Sequence, residues 1–137
     1  MKKKNFILTI SILMILALSF SCTENDKREE EECFSSESAY ATSINSPSAG
    51  MVNETIDIEV TFTVGGSSCY RSAEFIETSI ENSRSIEIEV KYESCICTLD
   101  ISYETITYQF TASNIGDYEL NFKSSPTEFI TTNLTIN

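Results

Sequence analysis

The chain has 137 residues, 21 of them acidic and 9 basic, a formal net charge of −12 and no histidine. That balance argues against nucleic-acid binding, because phosphate contacts need clustered Lys and Arg. The missing histidine excludes Ser–His and Cys–His catalytic pairs, and no glycine-rich phosphate loop is present.

The N-terminus reads as an export signal. Lys2, Lys3 and Lys4 form a positive start, and Phe6 to Phe20 is apolar except for Thr9, Ser11 and Ser19. A short apolar run between lysines and small residues is the layout of a secretory signal. About 15 apolar residues fall short of the roughly 20 needed to cross a bilayer as a helix. The segment Leu18-Ser19-Phe20-Ser21-Cys22 resembles a bacterial lipobox, in which a small residue precedes a cysteine that becomes lipid-modified. Leu18 sits one place earlier than in the usual pattern and Phe20 is bulky. Relaxed boxes of this kind resemble those of Bacteroidota lipoproteins. The resemblance implies a signal peptide over 1–21, lipidation at Cys22 and a membrane partner reached through the lipid. Each buried methylene contributes about 0.8 kcal/mol, so two or more acyl chains anchor stably where one does not.

Removing residues 1–21 takes away three lysines and no acidic residue. The remaining 116 residues (137 − 21) would carry 6 basic and 21 acidic side chains, a net charge of −15. One domain is expected at that length, long enough for a hydrophobic core. The stretch Thr23 to Glu32, TENDKREEEE, has no aliphatic or aromatic residue. It is expected to stay disordered and to act as an extended acidic tether. An acidic run just after a lipidated cysteine also resembles the surface-export signals of Bacteroidota lipoproteins. That implies an outer-membrane protein facing the cell exterior. The expected organisation is a signal peptide over 1–21, anchor and tether over 22–36, and a domain over 37–137.

From Ser38 onward the apolar residues recur with period two. Ile56, Ile58, Val60, Phe62 and Val64 alternate with polar residues, as do Ile86, Ile88, Val90 and Tyr92. The same holds for Ile106, Tyr108 and Phe110, and for Tyr118, Leu120 and Phe122; Ile130, Leu134 and Ile136 share one parity. Such alternation predicts half-buried antiparallel strands. Turn-forming residues separate the runs, around Pro47, Gly65-Gly66, Asn82, Asn114 to Asp117, and Pro126. The expected fold is an all-β sandwich of about seven strands, over 38–44, 54–64, 70–78, 84–93, 97–111, 117–124 and 128–136. In the fifth run the parity changes. Leu99, Ile101 and Tyr103 are odd, whereas Ile106, Tyr108 and Phe110 are even. A bulge or kink near Glu104 would reconcile them.

Tyr108-Gln-Phe110-Thr-Ala, followed by Ser113-Asn-Ile-Gly116-Asp-Tyr118-Glu-Leu120, resembles the corner between the fifth and sixth strands of an immunoglobulin-like domain. There a tyrosine begins the sixth strand, and its hydroxyl bonds back to the upstream backbone. Tyr118 fits that place. Leu120 stands where antibody domains have a cysteine, and the chain has no tryptophan. The resemblance implies an immunoglobulin-like sandwich without the antibody disulfide; a jelly roll is the alternative.

After Cys22 come Cys33, Cys69, Cys95 and Cys97. Four cysteines in an exported chain suggest two disulfides, with three connectivities. In an immunoglobulin-like sandwich all four would gather at one pole. Cys95 and Cys97, two apart on an extended run, would face the same way and take different partners. Cys69 is therefore expected to pair with one of them and Cys33 with the other. Four thiolates would suit zinc, but the spacing lacks zinc-ribbon knuckles, and an oxidising compartment disfavours free thiolates. Neither a metal nor another cofactor is expected. Cys95 and Cys97 also lack the two intervening residues of a thioredoxin-type motif.

Paired carboxylates can drive glycoside hydrolysis, but Asp57 with Glu59 and Glu87 with Glu89 alternate with core residues and belong to solvated strand faces. No catalytic residue is identified, and the chain is expected not to be an enzyme. Two functional classes remain. One is a surface-exposed binding or structural module that contacts a protein or a glycan. The other is a periplasm-facing accessory subunit of an envelope complex. Because the cysteine pole carries the domain's N-terminus, the binding surface is expected at the opposite pole or on the sheet faces. Tyr40, Tyr70 and Phe75 are the candidate exposed aromatics.

Overall fold

The computed structural model describes residues 33–93 and 96–137. These form two packed β-sheets, the all-β sandwich that the alternation predicts. The strands are β1 (Phe34–Ala39), β2 (Ala41–Asn45), β3 (Ala49–Gly50), β4 (Thr55–Gly65), β5 (Tyr70–Ile80), β6 (Ser83–Glu93), β7 (Ile101–Thr111), β8 (Gly116–Lys123) and β9 (Phe129–Ile136). One sheet has the order β2-β4-β7. In the other, β6 is flanked by β5 on one side and by β1 and β8 on the other, and β8 continues to β9 and β3.

The inward set is the one with period two. Ile58, Val60, Phe62 and Val64 of β4 face Ile86, Ile88 and Val90 of β6, with Leu120 and Phe122 of β8 and Leu134 of β9 completing a fully buried layer. Each such side chain contributes about 1.5–3 kcal/mol on leaving water. Edge-on aromatic pairs tie the layer together: Phe75 with Tyr108 at 5.2 Å, Tyr108 with Phe122 at 5.5 Å, and Phe110 with Tyr118 at 5.3 Å. Tyr108 keeps its hydroxyl satisfied by donating to Glu77 Oε2 at 2.5 Å. Burial first, then the Glu77 carboxylate, pushes that phenol well above its ordinary range.

Nine strands replace the expected seven for a local reason. The run expected over 38–44 breaks at Tyr40. β1 pairs with β6, and β2, one residue later, pairs with β4. The chain thus crosses from one sheet to the other between Ala39 and Ala41, both buried. β3 adds a two-residue parallel pairing with β9. At Gly50 a Cβ would lie 2.3 Å from Ile56 Cδ1, a close approach that glycine permits. Folded structure also begins earlier than the expected boundary at 37, since β1 starts at Phe34.

Strand order departs from the immunoglobulin arrangement in one sheet. There the third strand lies beside the sixth. Here β6, the second strand of the β5–β6 hairpin, takes that place and runs parallel to β8, from Ser83↔Glu119 to Ile86↔Phe122. The sandwich is therefore rich in antiparallel pairs rather than wholly antiparallel. β1 covers the remaining half of the same β6 edge, from Phe34↔Glu93 to Ala39↔Ile88.

The expected bulge near Glu104 is absent. β7 pairs with β4 in unbroken register from Ile101↔Gly65 to Thr111↔Thr55. The parity conflict is resolved by exposure instead: Tyr108 and Phe110 are buried, while Leu99, Ile101 and Tyr103 are in solvent.

Candidate functional site

The end of the sandwich where β1 begins, β4 passes to β5 and β6 passes to β7 holds the described cysteines. Gly65 and Gly66 make the turn out of β4. Gly66 adopts a left-handed φ of 63°, and its N–H donates to the Asp100 carbonyl at 2.8 Å. A Cβ at Gly66 would lie 2.9 Å from the Cys97 Cβ, so only glycine lets the turn pass this close. A short 3-10 turn, Ser67–Cys69, follows. It delivers Cys69, buried, to a disulfide with Cys97 across a Cα–Cα distance of 5.4 Å.

Hydroxyls and one carboxylate surround that bridge. Ser67 Oγ and Thr98 Oγ1 both donate to the Asp100 carboxylate. The Thr98 N–H donates to Ser68 Oγ at 3.0 Å. The Ser67 hydroxyl, then that of Thr98, holds the Asp100 carboxyl below its ordinary pKa. Residues 97–100, which lead into β7, are thus held by the bond from Cys97 to Cys69 and by a polar net.

Cys33 is disulfide-bonded and sits next to Phe34, at the start of β1. Of the cysteines singled out in the sequence, the structure joins Cys69 to Cys97. Cys22 and Cys95 lie outside the described residues. Tyr118, buried, donates its hydroxyl to the Asn114 carbonyl at 3.1 Å, four residues upstream. That bond closes the corner between β7 and β8, far from the cysteines.

Beside the disulfide, Tyr92 donates its hydroxyl to Glu37 Oε1 at 2.8 Å. Burial, reinforced by the Glu37 carboxylate, pushes this phenol up to about 12. Tyr92 and Ser35 line two adjoining shallow hollows. One, of about 250 Å³, is completed by Phe34, Ser36 and Lys91. The other, of about 270 Å³, reaches Gly66, Cys97 and Leu99. Each is smaller than the roughly 300–1,000 Å³ of ordinary ligand pockets. Among the described residues, no group of three or more Cys, Asp and Glu side chains is arranged to hold a metal.

The most informative surface at this pole is apolar. Phe34, Ile96, Leu99, Ile101 and Tyr103 are all exposed. The sequence assigned Leu99, Ile101 and Tyr103 to the core, and the break in parity was the signal that they are not. The three candidate aromatics, Tyr40, Tyr70 and Phe75, are half-buried, and Tyr70 and Phe75 pack against the core. Burial, helped by Glu104, raises the Tyr70 phenol. Compared with known proteins, the chain matches no family model, no curated protein and no solved structure.

Proposed function

We propose that this chain is an exported, lipid-anchored lipoprotein, exposed on the outer surface, whose sandwich serves as a non-catalytic binding or structural module. The anchor rests on the order of parts at the N-terminus: three lysines, the apolar run Phe6 to Phe20, then Ser21-Cys22. The acidic run Thr23 to Glu32 supports an outward-facing position. The observation that carries the contact surface is the gathering of Phe34, Ile96, Leu99, Ile101 and Tyr103 in solvent at one pole. Exposed apolar side chains that gather this way mark interaction sites. The proposed surface therefore lies at the cysteine pole and not at the opposite one. A protein or a glycan with an apolar face is the fitting partner. The domain's acidity disfavours anionic ones.

Fractionation and protease shaving of intact cells test the reading together. Wild-type protein is expected in the membrane fraction and accessible to protease, and Cys22→Ala in the soluble fraction. A Cys22→Ala protein that stays wholly with membranes contradicts the anchor, and full protection of wild type contradicts the outward position.

A further inference from the structure

β7 ends its sheet, and among the described residues no strand pairs with its outer edge. Its eleven residues run without a register shift, so it presents a long, uninterrupted row of alternate backbone N–H and C=O groups. Proteins usually blunt such edges with charges, proline, bulges or short length. The far edge of the same sheet, β2, and the β5 edge of the other sheet carry such devices. β5 has Arg71, Glu74 and Glu77 and a register shift near its start. β2 is five residues long and also shifts register. β7, ISYETITYQFT, has one charge, Glu104, and no lysine or proline.

We propose that the outer edge of β7 pairs antiparallel with β7 of a second copy of this chain, joining two three-stranded sheets into one of six. The composition of the edge fits a copy of itself. Two-fold pairing centred on Ile106 overlaps all eleven residues. It sets Glu104 opposite Tyr108 of the other copy, so the single charge on β7 never meets its own kind. On the outer face Thr105 meets Thr107 of the other copy, a pairing that sheets favour by roughly 0.2–1 kcal/mol. The same kind of contact already exists on the β4 side, where the Thr61 and Thr105 hydroxyls lie 2.9 Å apart. A foreign strand chosen by charge would need acidic or basic residues to read, and β7 offers one carboxylate. The two-fold pairing uses each edge once and stops at a dimer. Because each copy carries excess negative charge, salt that screens the long-range repulsion strengthens the pairing.

A charge-swap at the centre tests this. Thr105 and Thr107 are exposed, so substitutions there leave the core intact. Two differently tagged copies of the full chain are expressed together, solubilised in neutral detergent and co-purified. Wild-type copies are expected to co-purify, more so as salt rises from about 0.05 to 0.5 M. T105K/T107K places lysines opposite lysines and is expected to lower recovery about tenfold, as is T105E/T107E. Co-expressing the lysine variant with the glutamate variant is expected to restore recovery, which a folding defect would not allow. Wild-type copies that never co-purify overturn the proposal, as does a lysine variant that self-associates like wild type. Loss of a different co-purifying protein, with no pairing between copies, assigns the edge to a foreign strand and overturns it as well.

Discussion

The body of the sandwich and its cysteine pole are built on opposite terms. In the body, β4, β6 and β8 put every inward apolar side chain out of water, and the described residues include no buried polar or charged one. At the pole, Ile96, Leu99, Ile101 and Tyr103 stand in solvent within eight residues of chain. The Cys69–Cys97 bridge, the hydroxyls around Asp100 and the bond from Gly66 to the Asp100 carbonyl hold residues 97–100, and pairing with β4 holds Ile101 and Tyr103. A covalent and polar frame can keep apolar side chains outside a core, where an apolar frame would draw them in. The described part of the pole is then held in place while Ile96, Leu99, Ile101 and Tyr103 stay exposed.

Breaking the frame should therefore cost more than altering the residues it displays. Replacing Cys69 and Cys97 together by serine is expected to lower stability by about 2–4 kcal/mol, measured by denaturant unfolding. An unchanged midpoint would mean that the Cys69–Cys97 bridge does not contribute to holding the segment. Alkaline pH should act next. The Tyr92 phenol ionises near 10 in the unfolded chain and near 12 in the folded one. The folded state therefore binds the proton more tightly. Stability from this group is complete below pH 10 and is lost as pH rises from 10 through about 12. Tyr92→Phe removes that part of the alkaline loss, read as a shallower fall of stability across the window. Tyr118→Phe deletes the hydroxyl bond to Asn114 and leaves the ring packed on Phe110. It should cost about 1 kcal/mol, the net value of one hydrogen bond. Thermal unfolding would show it, and no change would mean that the corner bond is redundant. At the small end is Glu81, which turns between β5 and β6 at a φ of 53°. Glu81→Gly relieves the steric cost of a left-handed residue and should stabilise by up to about 1 kcal/mol. A loss of stability there would mean that the gain in unfolded-chain entropy dominates.

The same contrast explains what could be read from the sequence. β4 and β6 were legible almost to their ends because their alternation is strict and their outward residues are polar. β7 was legible as a strand, but its start was misplaced. Leu99, Ile101 and Tyr103 look like core residues, and nothing local says that Leu99 precedes the strand or that the register of β7 on β4 turns Ile101 and Tyr103 outward. The crossing at Tyr40 left no mark, since Ala39 and Ala41 suit either sheet. The place of β6 beside β8 depends on contacts more than thirty residues apart, which period-two patterning does not encode. The pairing of Cys69 with a cysteine of the 95–97 pair could be read, because both sit at turns leading into long strands at the same end. In the sequence the exposed patch shows only as an inconsistency, the break in parity between Tyr103 and Ile106.

One pair of substitutions addresses the contrast most directly, because the chemistry is identical at both positions. Leu120 is 0% exposed in the body, and Leu99 is 105% exposed at the pole. Leu120→Ala should cost about 2.7–5 kcal/mol, as expected for a cavity in a close-packed core. Leu99→Ala should stay within about 0.5 kcal/mol of wild type, as surface substitutions do. Equal, large losses in urea unfolding would place Leu99 in a core and contradict the division between a packed body and a displayed apolar pole.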